Sequence, residues 1–256
     1  MAASEISIWA LTGLPEIKPG EDLAGLIAAA LDAGAHRPVS GDIIVVTSKV
    51  VAKAQNRFVA LASVSPGPRA RELSTLTGKD ARLVQLILDQ AREVIRTTPH
   101  VIIVETHAGL ILANAGIDQS NLSAQDQGQR VLLLPEAPDA AAAAMKARFD
   151  ETFGADLGVI ISDSVGRPWR LGTVGIAIGA AGVTSLWDRR GETDFTGRKL
   201  EVTEVAFADA VASAAVLAMG EGAEGCPVAL VRGYRTPTGP RPAADLQRPK
   251  HMDLFR

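Results

Sequence analysis

The chain has one cysteine, Cys226, so no intrachain disulfide can staple it and its folding does not depend on an oxidising compartment. Directly ahead of the apolar run PVALV, Cys226 reads as a small buried apolar group rather than a nucleophile. Aromatic residues make up only 4% of the sequence. A core without large rings is built from Ala, Val, Leu, Ile and Gly, which favours close packing of strands and helices. Long hydrophobic runs are also missing. The longest uncharged stretch, Leu171 to Trp187, falls short of a bilayer span and is broken by Gly172, Gly175, Gly179 and Gly182. The N-terminus lacks the basic start and long apolar centre of a signal peptide, and Ile6 to Leu11 reads instead as a first strand. A net charge of −3 gives no general attraction to nucleic acid or anionic lipid. These absences lead us to expect a soluble cytoplasmic protein without nucleic-acid or membrane partners.

Several chemical signatures are missing as well. There is no GxxxxGK[ST] run, which excludes a P-loop cradle, and no HExxH or CxxC pair, which excludes the familiar zinc arrangements. No GxSxG elbow suggests a serine nucleophile. The stretch GEGAEG, Gly220 to Gly225, matches the GxGxxG pattern of dinucleotide-binding turns. That turn requires a strand before it and a helix after it. Here a helical pattern precedes and a strand pattern follows, so the run reads as a glycine-rich helix exit and not as a Rossmann turn.

What is present is 256 residues, 47% of them hydrophobic, enough for one large domain or two interlocked small ones. Short β-branched runs predict strands at Ile6–Leu11, Asp42–Thr47, Val101–Glu105, Val131–Leu134, Leu157–Ser162, Val174–Ile178 and Pro227–Arg232. Helical patterns cover Glu21–Ala33, Ala70–Thr77, Ala81–Ile95, Ala137–Phe153 and Thr203–Met219. Strands and helices mix along the whole chain, which places it in the α/β or α+β class as a single unit over residues 1–256. The Pro-rich tail from Thr236 reads either as a frayed terminus or as an arm docked on the body or on a second subunit.

Three polar clusters interrupt the apolar runs. In TSKVVAKAQN, Lys49 and Lys53 are four residues apart and share one face of a helix that starts at Ser48 after a strand. They form an anion site or are solvated surface lysines. In VIISDSVGRPWRLG an apolar strand ends in Asp163 and Ser164, and a turn carries Arg167 and Arg170. Such a set suits a hard cation and phosphate oxygens, or else Asp163 accepts hydrogen bonds from the turn. In ANAGIDQSN, Asp118 offers a second hard ligand and Asn121 an amide, in a turn that an Asx-rich loop would also explain. With Glu221, these residues place three carboxylates on three separated loops beside Lys49, Lys53, Arg167 and Arg170. Metal-assisted chemistry on a nucleoside polyphosphate needs such an inventory. The residues alone also leave room for a metal-dependent phosphotransferase or phosphatase on another small acceptor, and for a non-catalytic nucleotide-binding module.

LTGLPEI, TSKVVAKAQN, ETHAGLILANAGIDQSN, ISDSVGRPWRLGTVGIAIG, the run from Asp188 to Asp209 and the terminal DLFR together resemble the coenzyme F-420 γ-glutamyl ligase family, in order and over nearly the whole chain. The resemblance implies a GTP-dependent ligase that joins L-glutamate to the deazaflavin coenzyme F-420 precursor through an acyl phosphate, releasing GDP and phosphate. It further implies Mg²⁺ or Mn²⁺, two ions per site, with K⁺ as an activator, and an unusual α+β fold in an intertwined homodimer. By position, Leu14, Pro15, Glu16 and Ile17, then Ser48, Lys49 and Lys53, then Asn121, and finally Met219, Gly220, Gly222 and Gly225 resemble GTP contacts. Asp118, Asp163, Ser164 and Glu221 resemble metal ligands. Ser164 stands where threonine is common and Glu221 where glutamine is common, the second adding a negative charge expected to alter metal binding. Some relatives continue into a flavin-dependent reductase domain, and this chain is expected to be a stand-alone ligase.

Overall fold

A computed structural model describes residues 5–119, 129–234 and 238–253. From the N-terminus come strand β1 (Ser7–Ala10), helix α1 (Leu23–Ala33), strand β2 (Ile43–Thr47), helix α2 (Ser48–Ala54) and the short β3 (Phe58–Ala60). Helices α3 (Pro68–Thr77) and α4 (Ala81–Asp89) follow, then strands β4 (Ala91–Thr98), β5 (Val101–Thr106), β6 (Ile111–Ala113) and β7 (Arg130–Leu132). Helix α5 (Pro138–Phe153) leads into the long hairpin of β8 (Gly158–Arg167) and β9 (Arg170–Ala181). The two short strands β10 (Leu186–Asp188) and β11 (Glu204–Ala206), helix α6 (Phe207–Met219) and strand β12 (Val228–Arg232) complete the α+β fold.

The main sheet has the order β1-β12-β2-β8-β9. Within it β2 and β8 run parallel, while the other neighbours pair antiparallel. β2 reads IIVV because both of its faces are covered. Ile44 and Val46 pack with α1 and α5, whereas Ile43 and Val45 face α6. Helix α1 begins where the Asp22 carboxylate accepts the Gly25 N–H at 2.9 Å, and buries Leu23, Ile27 and Leu31 at four-residue spacing. Helix α5 buries Ala142, Met145 and Phe149 on the same side and stops at Gly154, whose φ of 63° an L side chain would strain.

On the other side α6 presents Ala208, Ala212 and Ala215, small enough for close contact with β9. There Gly175 and Gly179 take the tightest positions, and they face opposite layers although they are four residues apart. A bulge explains this: Ile161 pairs with Gly179 but Ser162 pairs with Ala177, so Ile178 is an extra residue that turns the strand over. In the first turn of α6, Asp209 accepts the Ala177 N–H at 2.9 Å, and burial raises its pKa above the usual carboxylate range. A raised folded-state pKa means that the native chain holds this proton more tightly than the unfolded chain. Its burden on stability is full above the folded pKa and fades as pH falls through that value. Asp209→Asn keeps an acceptor without the charge, so it is expected to raise the melting temperature at about pH 7, with a smaller gain at about pH 4; thermal melts at both values check this.

A second layer of structure stands beside the main sheet. Helices α3 and α4 pack on the sheet β4-β5-β6 through Leu73, Leu83, Val84, Ile87, Ile102 and Val104. The strand pair β3 and β7, together with Arg57 donating to the Leu134 carbonyl at 3.0 Å and pairing with Glu136, ties this part to the main body.

Several expected boundaries move. The helix expected over Ala81–Ile95 ends at Asp89, and Ala91–Thr98 forms β4 instead, because pairing with β5 captures its β-branched residues Val94, Thr97 and Thr98, with Ile95 at a bulge. The helix expected from Thr203 begins at Phe207, with Glu204–Ala206 paired to β10. The expected stop of β8 at Ser162 fails too: β8 and β9 continue as a projecting hairpin to Arg167 and Arg170, with Trp169 at φ 65° in its two-residue turn. The described part of the tail, residues 238–253, by contrast takes one of the two expected forms, an arm docked on the body. Thr184 and Ser185 donate to the carbonyls of Thr238 and Arg241, Asp139 accepts the N–H groups of Ala243 and Ala244, and Lys250 pairs with Glu93.

Candidate active site

The parallel pairing of β2 and β8 decides where the polar residues meet. It sets the C-terminal end of β2 beside the middle of β8, with Thr47 opposite Ser162. β12 enters at the same end, where the Pro227 carbonyl accepts the Thr47 N–H at 2.9 Å, and β1 leaves there, its successor Leu11 donating to the Val228 carbonyl at 2.8 Å. Segments distant in sequence therefore surround one cleft of about 700 Å³. Its walls are Leu14–Ile17, the start of α2, Asp163 and Ser164 on β8, and the glycine run from Met219 to Cys226. The α3/α4 side adds Gly116–Asp118 and Leu132–Pro135.

Inside the cleft the side chains pair across elements. Ser48 Oγ donates to Asp163 Oδ1 at 2.8 Å, Lys49 Nζ lies 2.8 Å from Asp118 Oδ2, and Ser164 Oγ donates to Glu221 Oε1 at 2.6 Å. Lys53, one turn on from Lys49, lines the same space. Protein crowds Asp163 on most sides although part of its surface stays open. That desolvation, together with the like charge of Asp118, raises its pKa against the opposing pull of the Ser48 hydroxyl, the Ser164 N–H and Lys49.

Among the described residues no three His, Cys, Asp or Glu side chains gather closely enough to hold a metal by themselves. The donors nevertheless fit a hard divalent cation. Mg²⁺ takes one or two carboxylates and fills its remaining positions with water and phosphate oxygens. Asp118 and Asp163, close enough to repel, are such a pair, and a cation would stabilise the ionised form that burial disfavours in Asp163. The Ser164 hydroxyl and Glu221 stand next to them as further oxygen donors.

Most of the residues singled out in the sequence meet here, but not all. Arg167 and Arg170 do not line the cleft. Strand β8 carries them to the hairpin tip, where Arg167 donates to the Gly172 carbonyl at 3.3 Å. Asn114 is a turn residue, its Oδ1 accepting the Ile102 N–H at 3.1 Å, while Asn121 lies outside the described residues. Cys226 is half-buried on the cleft wall rather than in the core, because β12 begins only at Val228. Thr47, Ser162 and Leu132–Pro135 also line the cleft, although nothing in their sequence pattern marks them for it. Glu224 was missed although it belongs to the same glycine run as Glu221.

Residues 13–233 match the family model described as "F420-0:Gamma-glutamyl ligase". The chain belongs to that family. A protein of Methanothermobacter thermautotrophicus named coenzyme F420:L-glutamate ligase is 43% identical, with 98% of this chain and 99% of the relative aligned. A Methanocaldococcus jannaschii protein of the same name is 43% identical over 95% of this chain and 94% of its own. One from Halobacterium salinarum is 43% identical over 88% and 86%. The family match covers every described segment of the cleft wall. No helix among the described residues is long and apolar enough to cross a membrane.

Proposed function

We propose that this cleft joins L-glutamate to the deazaflavin coenzyme F-420 precursor at the expense of GTP, and then adds further γ-linked glutamates. One observation carries the reading: in a chain whose relatives are named coenzyme F420:L-glutamate ligases, the pairs Ser48–Asp163, Lys49–Asp118 and Ser164–Glu221 converge on a single cleft. In the first step the precursor's carboxylate oxygen attacks the γ-phosphorus, forming an acyl phosphate as the bond to GDP breaks. In the second the glutamate nitrogen attacks the acyl carbon, phosphate leaves and the amine gives up a proton. Such transfers depend on positioning and on neutralising charge.

The chain's own groups match those needs. Lys49 and Lys53 place ammonium groups against the phosphates, and Leu14–Ile17 with the run Met219–Gly225 enclose the nucleotide. Ser48 holds the Asp163 carboxylate in one orientation. Asp118, Asp163, Ser164 and Glu221 would hold Mg²⁺ or Mn²⁺, which supplies positive charge to the phosphate oxygens; K⁺ as an activator belongs to the same reading.

The exposed apolar residues on two projecting hairpins support the homodimer. Trp169 and Leu171 sit at the tip of the β8–β9 arm, and Phe195 and Val202 lie between β10 and β11. Apolar surface of this kind on projecting elements marks contacts with another chain. In the dimer Arg167 and Arg170 meet the second copy instead of their own cleft.

Purified protein incubated with the glutamate-free precursor, L-glutamate, Mg²⁺ and GTP is expected to give a glutamyl mass increment by mass spectrometry, and none when ATP replaces GTP. GTP cleavage that ignores glutamate would instead identify a phosphotransferase or phosphatase, and an increment with ATP alone would overturn the nucleotide assignment.

A further inference from the structure

The glycines of the run Gly220–Gly225 have a local cause. Helix α6 closes on Gly220, whose N–H reaches the Val216 carbonyl at 2.8 Å and whose φ is 77°. The chain then bends back toward β12, and the Glu224 side chain fills the inside of that bend. Its Oε2 accepts the Gly222 N–H at 2.7 Å. A Cβ placed on Gly220 would lie 2.3 Å from Glu224 Cδ, and one on Gly222 would lie 3.3 Å from Oε2. The space that a side chain at 220 would take is thus the space that this carboxylate occupies, and one at 222 would press against it. Glu221, between those two glycines, reaches out of the loop to Ser164 on β8.

We infer that Glu224 is the positioning residue of this loop. Seated over Gly220 and bonded to Gly222, its carboxylate fixes the conformation that lays Glu221 against Ser164 and completes this wall of the cleft. The effect on catalysis rests on the function proposed above, whereas the effect on the loop does not. A carboxylate with this role can be replaced by an amide, whose oxygen accepts the same N–H; a carboxylate that binds a cation or an amine directly cannot.

The test compares the full chain with Glu224→Gln and Glu224→Ala. Amide exchange at Gly222, followed by NMR, is expected to quicken about tenfold in the alanine variant and to stay near wild type in the glutamine variant. With GTP, Mg²⁺, precursor and L-glutamate, the alanine variant should raise the KM for GTP about tenfold and lower kcat far less, with glutamine restoring both. Gly220→Ala should quicken Gly222 exchange as well, since its methyl group and the Glu224 carboxylate claim the same space. Unchanged exchange in the alanine variant, or a glutamine variant as impaired as alanine, overturns the inference. A wild type that neither binds nor cleaves GTP overturns the proposed function instead, and the exchange comparison then decides this inference alone.

Discussion

On the reading proposed above, Asp163→Asn is expected to lower kcat for ligation by about 10³-fold while leaving the fold intact, because it removes the negative charge that would balance a cation bound with the phosphates. Asp163 is where three features of the cleft coincide: it takes the Ser48 hydroxyl, it lies close enough to Asp118 to feel its charge, and its carboxyl is desolvated by the surrounding protein. The amide is nearly isosteric and can still accept the Ser48 hydroxyl, so packing around β8 is preserved. Its loss of charge also removes a group whose ionised form burial disfavours, and the melting temperature should hold or rise. A large fall in kcat with an undiminished melting temperature therefore separates chemistry from folding. Calorimetry with Mn²⁺ and GDP supplies an independent readout, in which the variant should lose metal-dependent tightening of GDP binding. Ser48→Ala, which leaves the carboxylate but removes one group that orients it, should cost only about tenfold. If Asp163→Asn turned over at the wild-type rate, the metal and phosphate role proposed for this part of β8 would be wrong.

How much of this site was legible in the sequence depended on whether a residue's partner was local. Lys49 and Lys53 could be placed together because they are one helical turn apart in a segment that follows a strongly apolar strand. That Ser48 meets Asp163, 115 residues away, could not be read from spacing, since it follows from the parallel pairing of β2 with β8. The family resemblance put both residues in one site without giving this reason. Arg167 and Arg170 show the opposite failure. Their neighbourhood to Asp163 in sequence suggested neighbourhood in space, but β8 does not stop at Ser162. Pairing with β9 continues through Val165 and Gly166 and carries both guanidinium groups beyond the cleft. The apolar pattern that marks a strand ends where burial ends, while the backbone ladder that defines the strand continues into solvent. The misplaced end of α4 has a related cause. Arg92 to Ile95 fit a helix locally, and only β5, which comes later in the chain, makes them a strand.

The largest effect on stability is expected from Gly179→Ala, which should cost about 3 kcal/mol and lower the melting temperature by about 10 °C. A Cβ at this position would lie 2.5 Å from the carbonyl carbon and oxygen of Pro138 and 2.8 Å from its Cβ. Those atoms belong to the first turn of α5 and cannot rotate away as a side-chain end can. The turn is also tied to the strand at the next residue, where Asp139 Oδ1 accepts the Ala180 N–H at 2.8 Å. Relieving the clash would therefore pull α5 off β9 and strain that hydrogen bond. The bulge at Ile178 is what aims Gly179 at α5, so the same substitution four residues earlier probes the other layer: at Gly175 the new methyl would meet the Ala212 carbonyl oxygen of α6 at 2.7 Å. Gly166→Ala, in the projecting hairpin with nothing within 4 Å of the added carbon, serves as the control and should stay within about 0.5 kcal/mol. Differential scanning calorimetry of the three variants separates the outcomes. Equal melting temperatures for Gly179→Ala and Gly166→Ala would mean that α5 does not press on β9 as described. The strain should also reach the cleft, because Gly179 pairs with Ile161, two residues before Asp163. Gly179→Ala protein that remains folded is accordingly expected to ligate more slowly, although the substituted carbon does not touch the cleft.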